Sequence, residues 1–151
     1  MTLSPTTIIV VSANFLTAMI AAALMMLVLF QAPGHRMNQL FALVMLSLGA
    51  YSVSNALGRF IDDLNLDPEV TLYVAISCFG LFTVLTFYFA SEFSQTFTPT
   101  VRVLRILGLI LAAVSVPAIW SDNVRTDIRP LTDGNYTADF TLFGYFISAM
   151  S

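Results

Sequence analysis

The chain has 151 residues, of which 58% are hydrophobic and only 10% charged, with a net charge of −3. A soluble domain carries about 25% charged residues, and a chain this short cannot bury so much apolar surface in one water-soluble globule. The acidic balance excludes the basic footprint that nucleic-acid binding requires, and a single cysteine, Cys78, excludes a disulfide framework or a cysteine metal cluster.

In chain order, the first apolar run covers residues 7–30, "TIIVVSANFLTAMIAAALMMLVLF", and contains no charge. At about 1.5 Å per residue it exceeds a hydrocarbon core of about 30 Å. The N-terminus has no basic n-region, so this run is expected to be a retained helix and not a cleaved signal. Asn14, Ala18 and Ala21 share one of its faces, with Thr17 beside it. The run ends in a short break, "QAPGHRMN", where Pro33-Gly34 is a turn dipeptide. His35, the only histidine, lies in this turn. A haem or pigment ligand would be expected at depth on a helix, and one histidine with one distant cysteine makes no zinc site. His35 and Arg36 are therefore read as a cytoplasmic turn that helps set orientation.

A second run, 39–58, "QLFALVMLSLGAYSVSNALG", is also uncharged. Ser47, Tyr51, Ser54, Asn55 and Gly58 recur every three or four residues and share one face. That face is expected to turn inward, because a polar side chain in lipid wants a partner. Interhelical hydrogen bonding is the commoner use of such a face. The functional alternative is that Tyr51 and Asn55 line a cavity open to the outside.

The third run, 71–91, follows the acidic loop 59–70, "RFIDDLNLDPEV", with Pro68 at the opening turn of the helix. It leads into an aromatic-rich end containing Phe79, Phe82, Phe87, Tyr88, Phe89 and Phe93, expected to serve bulk packing and an interfacial belt. Glu92 is the only acid within or beside a predicted span, and its expected partners are Arg102 or Arg105 across the next loop. The fourth run, 103–120, carries a small-residue stripe, Gly108, Ala112 and Ser115, that would permit close helix approach; Pro117 lies near its end. After a long mixed-charge loop, 121–138, residues 139–151 read as the start of a fifth helix. They are too short to span, so the chain is expected to be the N-terminal part of something longer. Asn135-Tyr136-Thr137 matches a glycosylation sequon, a pattern frequent by chance.

The expected fold is all-α, a multi-pass transmembrane bundle with four complete helices and the start of a fifth, in one domain over 1–151. The first and third loops carry Arg36, Arg102 and Arg105, the second sets four acids against Arg59, and the long fourth mixes Arg125 and Arg129 with three aspartates; by the positive-inside rule, which weighs short loops, the N-terminus is expected outside a plasma membrane. No nucleophile, base and orienting group can be assembled, so no catalytic residue, metal site or cofactor is expected. Expected partners are the lipid bilayer and other membrane helices or subunits, and no nucleic acid.

From residue 25 onward the order of features resembles the N-terminal seven-helix membrane region of bacterial histidine kinases and related sensors. The similarity lies in the basic turn "QAPGHRMNQLFALVML", the leucine-rich "FALVMLSLGAYSVSNALGRF", and the aromatic run "LFTVLTFYFASEFS" closing on Phe89, Ala90, Ser91 and Glu92. Tyr51 stands where that family would carry a tryptophan. The resemblance covers about four of seven helices and implies a sensing or anchoring role, with output from a cytoplasmic domain outside this chain. A different expectation, without that resemblance, is an accessory subunit of a large photosynthetic or respiratory membrane complex, packing on pigments, lipids or neighbouring subunits.

Overall fold

The structure, a computed structural model, describes residues 5–94, 98–120, 125–130 and 136–140. It is a helical, multi-pass bundle. Among the described residues, α1 (Pro5–Gln31), α2 (Arg36–Leu57), α4 (Pro68–Phe93) and α5 (Pro99–Ile119) are long and apolar enough to cross a membrane. A four-residue helix, α3 (Ile61–Leu64), lies between α2 and α4. The third and fourth apolar runs of the sequence are thus α4 and α5.

The helices begin earlier than the apolar runs, because capping chemistry precedes hydrophobicity. Asp67 caps α4, its carboxylate accepting from the Glu69 N–H at 2.8 Å, with Pro68 at the first turn. Thr98 caps α5 in the same way, accepting from the Val101 N–H, with Pro99 following. The α1–α2 turn is held by side chains. Asn38 Nδ2 donates to the Val28 and Ala32 carbonyls at 3.2 and 3.1 Å, and Gln39 Nε2 donates to the Pro33 carbonyl. Val28 lies in the last turn of α1 and Ala32 and Pro33 in the turn beyond it; the Val28 and Ala32 carbonyls also accept from the Ala32 and His35 N–H groups. Asn65 ends α3 at φ 50°, a left-handed position that asparagine tolerates.

The main helix contacts run α1 to α2, α2 to α4 and α4 to α5. Small residues make them. A Cβ added at Gly49 of α2 would meet the Ala21 Cβ at 3.7 Å and the Ala18 carbonyl at 3.9 Å, and Ala21 is only 1% exposed. The small face expected on the first helix is therefore its contact with α2. On α5, a Cβ at Gly108 would lie 3.8 Å from Val84 of α4; the side chain of Ser115 in the same stripe lies outside the described residues. At the far end of α5, Trp120 Nε1 donates to Ser77 Oγ at 3.3 Å and its ring lies against Tyr73. Large apolar side chains point outward instead, with Met19 at 70% and Phe30 at 79% exposure. Lipid competes with the interior for leucine or phenylalanine, so small residues, which let backbones approach, define the interfaces.

Beyond α5 the chain forms an antiparallel hairpin, β1 (Arg125–Pro130) with β2 (Tyr136–Phe140), pairing Ile128 with Ala138 and Pro130 with Tyr136. The sequence reading held 121–138 to be loop and began a fifth helix at 139. Asp139 and Phe140 instead close β2, and 141–151 lie outside the described residues. The stretch "YTADF" alternates, and Asp133-Gly134 precedes it as a turn dipeptide, which is hairpin composition.

The Gly49 contact makes a prediction. Gly49→Ala fits within ordinary contact distance and should change stability little, whereas Gly49→Leu should destabilise by about 1–3 kcal/mol through overpacking. Denaturant unfolding of the detergent-solubilised protein measures both.

Candidate functional site

Two polar centres lie at opposite ends of the bundle. At the end that carries the α1–α2 turn, Glu92 near the end of α4 meets two arginines. Arg105 Nη1 donates to its Oε2 at 2.9 Å, and Arg36 Nη1 lies 3.7 Å from its Oε1. Arg105 Nε also donates to Ser91 Oγ at 2.6 Å, and its guanidinium lies 4.7 Å above the Tyr88 ring. The Glu92 and Arg105 side chains are 16% and 11% exposed, against 66% for Arg36. The cluster therefore has a sheltered pair and an exposed third member. It ties together the start of α2, the end of α4 and the start of α5.

Of the two partners expected for Glu92, Arg105 takes the place. Arg102 is exposed, and among the described residues the ion pairs of Glu92 are to Arg105 and Arg36. Arg36 had been read only as a determinant of orientation; nothing local in the sequence brings it to a residue 56 positions away. Its neighbour His35 precedes α2 as the N-cap, makes no side-chain capping bond and is exposed.

The second centre lies at the opposite end, where α1, α2 and α4 surround a cavity of ≈ 270 Å³ with Ile61 of α3 beside it. Its polar lining is Asn14 of α1, Ser54 and Asn55 of α2, Arg59 just beyond, and Thr71 of α4. Each reaches the cavity for a local reason. Ser54, Asn55, Gly58 and Arg59 fall on adjacent turns at the end of α2. Thr71 sits one turn into α4, its hydroxyl donating to the Asp67 carbonyl, and Asn14 Nδ2 donates to the Val10 carbonyl of its own helix.

The inward face expected on α2 thus divides into three. Ser47 is buried, and its hydroxyl donates to the Leu43 and Val44 carbonyls at 2.9 and 3.0 Å. These bonds lie within α2, so the hydroxyl is satisfied without a neighbouring helix. Tyr51 packs its ring on Phe79 of α4, centroids 5.3 Å apart, and is not among the residues lining the cavity. Asn55 lines it. Arg59 and Thr71 escaped the sequence reading, because each falls outside or at the edge of an apolar run; the i, i+4 pair Asn55–Arg59 was the available signal.

The aromatic residues of α4 are divided between protein contacts and the outer surface, where Phe87 and Phe93 are exposed. Phe89 contacts Phe41 of α2 at 5.6 Å and Phe93 at 6.0 Å, in addition to the Tyr51–Phe79 and Arg105–Tyr88 contacts.

Comparison of the chain with family models, with curated proteins and with solved structures finds no match.

The asymmetry of the cluster sets an expected order of mutational effects. Arg105→Ala leaves Glu92 sheltered with only a distant, exposed partner and should cost roughly 3 kcal/mol. Arg36→Ala should cost about 1 kcal/mol or less, as for an exposed pair. Unfolding midpoints of the two variants in detergent, measured side by side, check the order.

Proposed function

We propose that the chain is the membrane-embedded sensing or anchoring portion of a bacterial signalling protein and performs no catalysis of its own. One observation carries this reading. The polar cavity and the ionic cluster share α4, which supplies Thr71, Leu72 and Ala75 to the first and Tyr88, Ser91 and Glu92 to the second. From 75 to 88 the helix rises about 20 Å. A rigid element touching a site at one end and a breakable charge cluster at the other is what a two-state transmitter requires. Occupancy of the cavity shifts α4, and the Glu92 contacts to Arg36 and Arg105 report the shift to whatever follows on the far side.

The orientation in this proposal puts the N-terminus and the cavity outside the plasma membrane and the cluster at the cytoplasmic face. Arg36, Arg102 and Arg105 lie at the cluster end, whereas Asp67 and Glu69 lie at the other, in keeping with arginine enrichment on the cytoplasmic side. The accessory-subunit reading draws on a different observation, the large apolar side chains presented outward along α1 and α5, which would pack on subunits, pigments or lipids. The reading frame after codon 151 separates the two. A kinase or cyclase domain in frame supports the sensor, and a stop codon supports the subunit.

Two outcomes are expected in cells. In a Cys78→Ala background, His35→Cys should resist a membrane-impermeant thiol reagent in intact cells while Glu69→Cys reacts; the reverse pattern overturns the orientation. Asn55→Leu should alter stability by only about 1 kcal/mol or less, since an amide in a membrane bundle recovers little on average, yet it should abolish the signalling output of the full-length protein. Retained output in that variant counts against a sensing cavity.

A further inference from the structure

We infer that the cavity between α1, α2 and α4 binds a small soluble monocarboxylate, with Arg59 as the anchor for its carboxylate. The inference deepens the sensing proposal by naming a ligand class, and it rests on that reading for the consequence of binding but not for binding itself.

Among the described residues, the lining carries a single formal charge, the Arg59 guanidinium, with neutral hydrogen-bonding groups from Asn14, Ser54, Asn55 and Thr71. Among the described residues, neither Arg59 nor the Asn55 amide has a hydrogen bond or ion pair to protein. Both are half-buried. This contrasts with several other polar groups of the bundle. Ser47, Thr17, Thr83 and Asn14 all donate to carbonyls of their own helix, and Arg105 is held by Glu92 and Ser91. A guanidinium presents a planar fork that matches a carboxylate with two parallel bonds, and the Asn55 amide can donate to the same group.

Size and surroundings narrow the class. At ≈ 270 Å³ the cavity falls just below the range of about 300–1,000 Å³ for drug-sized ligands, so the ligand has few heavy atoms. Val10, Leu72 and Ala75 supply an apolar wall for a short hydrocarbon tail. The 59–70 segment carries four acids against one arginine. Asp67 is committed to capping α4, and neither it nor Glu69 lines the cavity. The acidic composition of that segment disfavours multiply charged anions by repulsion and leaves a monoanion as the best match.

The test uses the protein in phosphatidylcholine nanodiscs, with butyrate, butyramide and butylammonium as probes of equal size. Thermal stabilisation and calorimetric binding are expected with butyrate alone. Arg59→Gln and Asn55→Leu should each weaken it by about tenfold or more, the loss of one charge-assisted contact. Arg102→Ala, exposed at the opposite end and outside the ionic cluster, should leave butyrate binding unchanged and serves as the folded control. Equal stabilisation by butyramide or butylammonium, no binding of butyrate at millimolar concentration, or undiminished binding in Arg59→Gln overturns the inference. Nanodiscs containing phosphatidylserine distinguish a lipid source of the carboxylate: if that lipid abolishes butyrate binding by competition, the soluble source is wrong. An output domain in frame after codon 151 alongside absent butyrate binding would leave the sensing proposal standing and remove only the ligand class.

Discussion

Hydrocarbon offers no hydrogen bonds, and the rest of this structure depends on that constraint. Every backbone N–H and C=O in the spans must be satisfied within its own helix, which leaves side chains to decide how helices meet. Ser47, Asn14, Thr17 and Thr83 turn their polar atoms back onto carbonyls three or four residues earlier. A hydroxyl satisfied in this way leaves the interface to shape. Gly49 against Ala18 and Ala21, and Gly108 against Val84, then supply the close approach that joins α1 to α2 and α5 to α4.

The same constraint explains where charge is found. Glu92, Arg105 and Arg36 lie at helix ends, within reach of the interface, and the deepest of them neutralise one another. Ser91 and Tyr88 complete the shell of Arg105, one through a hydroxyl acceptor and the other through its ring face. A guanidinium so surrounded fixes the angle between α4 and α5 at a point where loop residues alone would not. The turn between α1 and α2 is fixed by a different device, the amides of Asn38 and Gln39 on the last carbonyls of α1 and its turn. Polar side chains near the ends therefore set helix geometry, and small residues in the middle set helix distance.

At the opposite end of the bundle lies a region where, among the described residues, polar groups are gathered and not mutually satisfied. Asn55 and Arg59 project from the end of α2 into a space that Asn14 and Thr71 also border. In a membrane bundle such a space is a natural place for a ligand or for water, since the enclosing helices cannot close on it without burying unmatched polar atoms. The connection of that space to the ionic cluster through a single helix, α4, is the basis for reading the chain as a transmitter.

Sequence by itself determined the membrane class, the four spans to within a few residues, the Pro33-Gly34 turn and the charge difference among the first three loops. These properties are local: hydropathy, turn chemistry and charge act over one span or one loop and need no knowledge of neighbours. Helix starts were misplaced by three or four residues because Asp67-Pro68 and Thr98-Pro99 are caps and not apolar, and the hairpin after α5 was missed because alternation over five residues is faint beside a long apolar run. Only the tertiary structure decided that Arg36 joins Arg105 on Glu92, that Tyr51 turns to Phe79, and that Asn55 meets Asn14, Arg59 and Thr71 around a cavity. Those outcomes depend on the rotation of each helix about its own axis, which small-residue contacts such as Gly49–Ala21 set across more than one helix at once.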